Sequence, residues 1–106
     1  MTLESEMLFQ LRAVGIEPLT QYKFHPTRKW KADFAVLTAD KKLIIEVNGG
    51  TWMVKSGHNT GQGISRDYEK ANQAQLLGFV YLQYTGKEIH DGTALQEIES
   101  YLGGDG

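Results

Sequence analysis

Two acidic residues stand out because a simple hairpin would set them face to face. Asp33 and Glu46 lie in two apolar runs, Trp30 to Leu37 and Lys42 to Val47, separated by Thr38-Ala39-Asp40-Lys41. With Ala39-Asp40 as a two-residue turn, paired positions sum to 79 and Asp33 stands opposite Glu46, on one sheet face with Cβ atoms about 5 Å apart. Two carboxylates so placed repel, and at least one takes up a proton unless a cation lies between them. A divalent ion removes that penalty, and hard oxygen donors suit Mg²⁺ or Mn²⁺. The same register sets Lys31 opposite Asn48, so one patch would hold Asp33, Glu46, Asn48 and Lys31. The competing reading makes both acids surface residues on a wet face. Against it, Ile44 shares the face of Glu46, and Ala35 and Leu37 that of Asp33; carboxylates set in an apolar face need a partner. A bulge or a longer turn would shift the register.

Further candidates lie outside the hairpin. Asp67, Lys70, Ala71 and Ala74 fall on one helical face by i, i+3, i+4 and i+7 spacing, and the two alanines would let that helix pack close to the sheet, bringing Asp67 and Lys70 toward the acids. The alternative is a surface ion pair worth a few tenths of a kcal/mol. The segment Gly49 to Gly63 contains Gly49, Gly50, Gly57, Gly61 and Gly63, a composition that permits close approach to a nucleic-acid backbone. Within it His58 could bind phosphate or relay a proton, and Trp52 could stack on a base or anchor the edge of the core. Lys23, Arg28, Lys29 and Lys31 form a local basic patch able to contact phosphate, or a solvated turn. His25 and His90 read as structural or surface residues.

These residues require elements to hold them. Leu3, Met7, Leu11 and Val14, with Leu8 beside them, predict a first helix closed by Gly15. Tyr22 and Phe24 predict a short strand broken at His25-Pro26-Thr27. The two apolar runs follow as a hairpin, then a helix capped by Ser65 and ended by Gly78, a strand over Phe79 to Tyr84, and a closing helix over Ala94 to Leu102. The order α-β-β-β-α-β-α predicts one α/β domain with a mixed sheet covered by helices on both faces.

At 106 residues the chain can bury one core. With no cysteine, disulfides and thiolate metal sites are excluded. No apolar run approaches the ~20 residues of a membrane span and no signal segment opens the chain, so a cytoplasmic location is the expectation. The formal net charge of −2 offers no global attraction to nucleic acid and leaves that task to the local patch.

The residues Phe24-His25-Pro26-Thr27-Arg28-Lys29-Trp30-Lys31-Ala32-Asp33-Phe34, then Ile45-Glu46-Val47-Asn48-Gly49-Gly50, Gly57-His58, and Asp67-Tyr68-Glu69-Lys70 running into Leu77-Gly78-Phe79 together resemble the PD-(D/E)XK nuclease superfamily. The resemblance spans roughly Glu4 to Thr85, closest to small phage-type endonucleases and more distantly to very-short-patch-repair-like nucleases. It implies a restriction-endonuclease-like core and gives Asp33 and Glu46 the role of metal ligands. To an acidic residue of the first helix it gives the role of an outer metal ligand, or of holding a metal-bound water. Glu4 fits best, because Met7, Leu8 and Leu11 follow at i+3, i+4 and i+7, with Glu6 in reserve; either acid could instead stabilise the helix N-terminus. Ala32 stands where the family's nominal proline would be. Asn48 replaces the usual lysine; it can donate a hydrogen bond or coordinate a metal but supplies no positive charge. Either the cation comes from elsewhere, with Lys70 first and Lys31 second as candidates, or the site relies on metal alone, or activity is lost.

The expected activity is therefore metal-dependent phosphodiester hydrolysis on DNA, with branched, nicked or otherwise structured DNA as the substrate class. The resemblance to phage-type enzymes implies a host-cytoplasm location if the chain is phage-encoded. A homodimer could supply a second site. The rivals are an inactive nucleic-acid-binding module that keeps the fold, which Asn48 makes credible, and a partner-binding protein, consistent with the acidic net charge.

Overall fold

Helical apolar spacing at the N-terminus and two β-branched runs after it become the three elements that carry the acids. The computed structural model describes residues 2–48 and 61–103, with only the backbone for 61–67. In chain order the elements are α1 (Leu3–Ala13), β1 (Leu19–Lys23), β2 (Lys31–Leu37), β3 (Lys42–Val47), α2 (Gly61–Leu76), β4 (Val80–Tyr84), α3 (Gly86–His90) and α4 (Thr93–Gly103). The strands lie side by side as β1-β2-β3-β4. β1–β2 and β2–β3 are antiparallel, whereas β3–β4 is parallel, a pairing that needs a crossover, here containing α2. This is the mixed, helix-flanked α/β sheet that the patterning predicts.

Each sheet face has its own core. Met7 and Leu11 of α1, with Ile89, Ala94 and Ile98 of α3 and α4, pack on Phe34, Val36, Leu43 and Ile45. On the other face Ala74 of α2 meets Ile44, Ala32, Phe24 and Phe79. Leu43, Ile44 and Ile45 are consecutive and fully buried, as befits a central strand covered on both sides; each contributes on the order of 1.5–3 kcal/mol.

Several boundaries differ from expectation, and one helix is added. α1 stops at Ala13, so Val14 is its C-cap and is exposed, while Gly15 supplies the left-handed φ of +87° that ends the turn. β1 begins at Leu19, ahead of Tyr22. α2 begins at Gly61 rather than after Ser65, the packing of its later turns outweighing the weak helix propensity of Gly61 and Gly63. The added helix α3 starts from a reciprocal capping box between Thr85 and Glu88, a T-x-x-E signal present in the sequence.

Candidate active site

The hairpin register is the one inferred from the turn. Phe34↔Ile45, Ala35↔Ile44, Val36↔Leu43 and Leu37↔Lys42 are paired, and Thr38 N–H donates to Lys41 O at 2.8 Å across the two-residue turn. One step further, at Asp33, the pairing stops. Oδ2 of Asp33 accepts the backbone N–H of Val47 at 2.8 Å, so a carboxylate replaces a ladder carbonyl at the open end of the hairpin.

There Asp33 acts on two other acids. Partial burial, then the adjacent Asp33, push the Glu4 carboxyl above its ordinary range. Glu46 is buried, and desolvation raises it too; the ammonium of Lys70 opposes that rise and the charge of Asp33 adds to it. Three carboxylates from α1, β2 and β3 thus crowd one end of the sheet, beside an open depression of about 370 Å³ lined by Thr2, Leu3, Glu4 and Val47. Of the two acids weighed on α1, Glu4 faces the site, whereas Glu6 lies 2.9 Å from His90 Nδ1 of α3.

Lys70 reaches this cluster from the opposite layer. Its Nζ lies 2.9 Å from Glu46 Oε2 and donates to Lys31 O at 2.9 Å. Ala74, one turn further along α2, is fully buried against the sheet, which is how a helix brings a lysine so close. The contact with Glu46 is a charge contact: Oε2 makes no directed hydrogen bond among the described residues. The ammonium of Lys31 does not take the second-candidate position beside the acids; its side chain is exposed, and what it brings is its carbonyl oxygen. Asn48 is tied to β4, its N–H donating to Tyr84 O and its Nδ2 to Gln83 Oε1, each at 2.8 Å.

Arg28 is engaged as well, 2.6 Å from Glu69 and 4.0 Å above the Trp30 ring, while Lys29 is exposed. His25 is structural, as expected: Nδ1 accepts from the N–H groups of Thr27 and Arg28 at 3.1 and 3.0 Å, which leaves the proton on Nε2 to be donated to Gln73 Oε1 at 3.0 Å. Trp52, His58 and the side chain of Asp67 lie outside the described residues. Sequence reasoning missed the Val47 N–H and the Lys31 carbonyl, because backbone groups carry no residue-type signal.

The donor chemistry fits a hard divalent cation, since mutual repulsion and burial raise two of the three carboxyls, and a cation relieves both. No three acidic or imidazole groups among the described residues converge on one point. Asp33 and Glu46 are the oxygen donors such an ion would take from the sheet.

No described helix is long and apolar enough to cross a membrane. No family model matches the chain, and no curated protein does. Among solved structures, the catalytic domain of the homing endonuclease I-Bth0305I aligns with a TM-score of 0.68 over 95% of this chain and 93% of that one, at 22% identity. The chain thus shares its fold with an endonuclease catalytic domain.

Proposed function

We propose that the protein is a metal-dependent nuclease of the PD-(D/E)XK type, an endonuclease that hydrolyses phosphodiester bonds in structured or branched DNA. The observation that carries this reading is the Asp33 carboxylate acting on both Glu4 and Glu46, with the Lys70 ammonium 2.9 Å from Glu46 Oε2, at one end of the sheet. The shared fold with a homing endonuclease catalytic domain supports it. Asp33 and Glu46 hold Mg²⁺ or Mn²⁺, and Glu4 acts as an outer ligand. When bound, such an ion lowers the pKa of a water and offsets the charge that builds on phosphate. Lys70 supplies the ammonium that the chain lacks at Asn48, offsetting charge on the phosphate oxygens. Asn48 stands among the catalytic residues as a neutral hydrogen-bonding group, and Arg28, Lys29 and Lys31 contact the nucleic acid around the site, together with Trp52 and His58.

Incubating the protein with duplex, single-stranded, flap and junction DNA, with Mg²⁺ or Mn²⁺ and with chelator, tests the proposal. Chelator-sensitive cleavage, strongest on flaps or junctions, is the expected result, and cleavage indifferent to chelator would refute it. Salt-sensitive DNA binding without cleavage would support the second reading, an inactive binding module, which the asparagine at position 48 favours.

A further inference from the structure

Gln21 of the edge strand β1 is the non-glycine residue with positive φ among the described residues, at +48°, a region that side chains with a Cβ seldom enter and that edge strands use to bend. It stands directly across from Asp33. The β1–β2 pairs run Leu19↔Ala35 and Thr20↔Phe34, then resume at Tyr22↔Ala32 and Lys23↔Lys31; Gln21 and Asp33 are the two positions passed over. No residue is inserted in either strand, so both backbones turn at the same step. The consequence is visible in the packing. Residues two apart on a regular strand share a face, yet Ala32 packs with Ile44 and Ala74, and Phe34 packs with Ile45 and Met7, the cores of opposite faces. Strand β2 therefore rotates at Asp33, which is where its carboxylate leaves the ladder to accept the Val47 N–H and to act on both Glu4 and Glu46.

We infer that Gln21 is a positioning residue, whose left-handed backbone lets β2 turn over and delivers the Asp33 carboxylate to the metal-binding end of the sheet. The side chain of Gln21 is exposed, so the contribution belongs to the backbone conformation. The inference rests on Asp33 being a ligand as proposed above, but its structural half can be tested without that premise.

The test compares Gln21→Gly and Gln21→Asn, which accept positive φ, with Gln21→Thr and Gln21→Val, whose branched Cβ resists it. Two quantities are read on the folded protein: hydrogen exchange of the Val47 amide, and Mn²⁺ affinity followed by paramagnetic resonance. Gln21→Gly and Gln21→Asn should match the wild type in both. Gln21→Thr and then Gln21→Val should exchange the Val47 amide progressively faster and bind Mn²⁺ at least about tenfold more weakly, about 1.4 kcal/mol. A merely structural role would lower the melting temperature and leave both readouts of the folded protein unmoved, which overturns the inference. Should the branched variants not fold, a loss of Val47 protection in Gln21→Gly or Gln21→Asn overturns it equally, and its retention there supports it. If wild type binds no Mn²⁺, the metal reading fails, and the Val47 amide alone decides for or against Gln21.

Discussion

At its turn, the β2–β3 hairpin closes through Thr38 N–H to Lys41 O, and the register then runs unbroken to Phe34↔Ile45. At its open end the ladder gives way, with Asp33 Oδ2 on Val47 N–H in place of a carbonyl. The ladder can give way there because β3 has a second partner along its length, from Leu43↔Val80 to Val47↔Tyr84. Its last residues pair in parallel with β4, Glu46↔Gln83 and Val47↔Tyr84, so β2 can leave without freeing the strand. The regular end sets the alignment, and the irregular end spends one rung of it to aim a carboxylate.

The largest expected effects come from the open end. Asp33→Ala or Glu46→Ala should abolish cleavage, a loss of at least about a thousandfold, roughly 4 kcal/mol of barrier; either variant cleaving at the wild-type rate would sink the site. Stability separates the variants further. Asp33→Ala strands the Val47 N–H and should cost about 1–3 kcal/mol in denaturant unfolding. Asp33→Asn keeps an acceptor and loses a charge among acids, so without metal it should be at least as stable as wild type.

Next in size is Lys70→Met. Loss of the ammonium should slow cleavage at least about tenfold, near 1.4 kcal/mol, with DNA affinity little changed. A phosphate contact would instead weaken binding and flatten its salt dependence, as expected for Lys31→Met. If neither lysine variant loses rate while Asn48→Ala does, the asparagine is the catalytic group.

A smaller effect follows from pH. Burial first, and Asp33 after it, raise Glu46 above its ordinary value of 4.5, so the folded state holds this proton more tightly than the unfolded chain. Its contribution to stability is full below about 4.5 and is lost as pH rises through the raised folded value. Melting temperatures in chelator should show that decline for wild type, and Glu46→Gln should flatten it. An equal slope in both proteins would contradict the assignment.

The smallest effect belongs to the turn. Thr38→Ala removes the Oγ1 that accepts Lys41 N–H at 3.0 Å and should cost about 0.5–1.5 kcal/mol, leaving cleavage and Val47 exchange untouched. A change in cleavage would show the two ends to be coupled.

The sequence made the regular end readable. A two-residue turn and alternating apolar residues leave one register that buries Leu43 and Ile45 on one face and Ile44 on the other. Helical spacing likewise favoured Glu4 while keeping Glu6 in reserve, and aligned Lys70 with Ala74. What spacing could not convey was where regularity ends. The rotation at Asp33 and the φ of Gln21 depend on which core claims Ala32, a choice made by Phe24, Ala74 and Phe79 from three other segments. The departure of Lys31 from the acid patch has the same origin, since once β2 turns at Asp33, facing positions beyond it no longer follow the count.

The acids and the ammonium come from different halves of the chain. Glu4, Asp33 and Glu46 precede residue 48, while Lys70 and the β4 strand that secures the end of β3 follow residue 60. During synthesis the N-terminal half emerges first, bearing negative charges without their counter-ion and a central strand with one edge bare. A half-made chain thus has neither the charge balance nor the frame for the proposed chemistry. The proposed chemistry would therefore require the chain through β4.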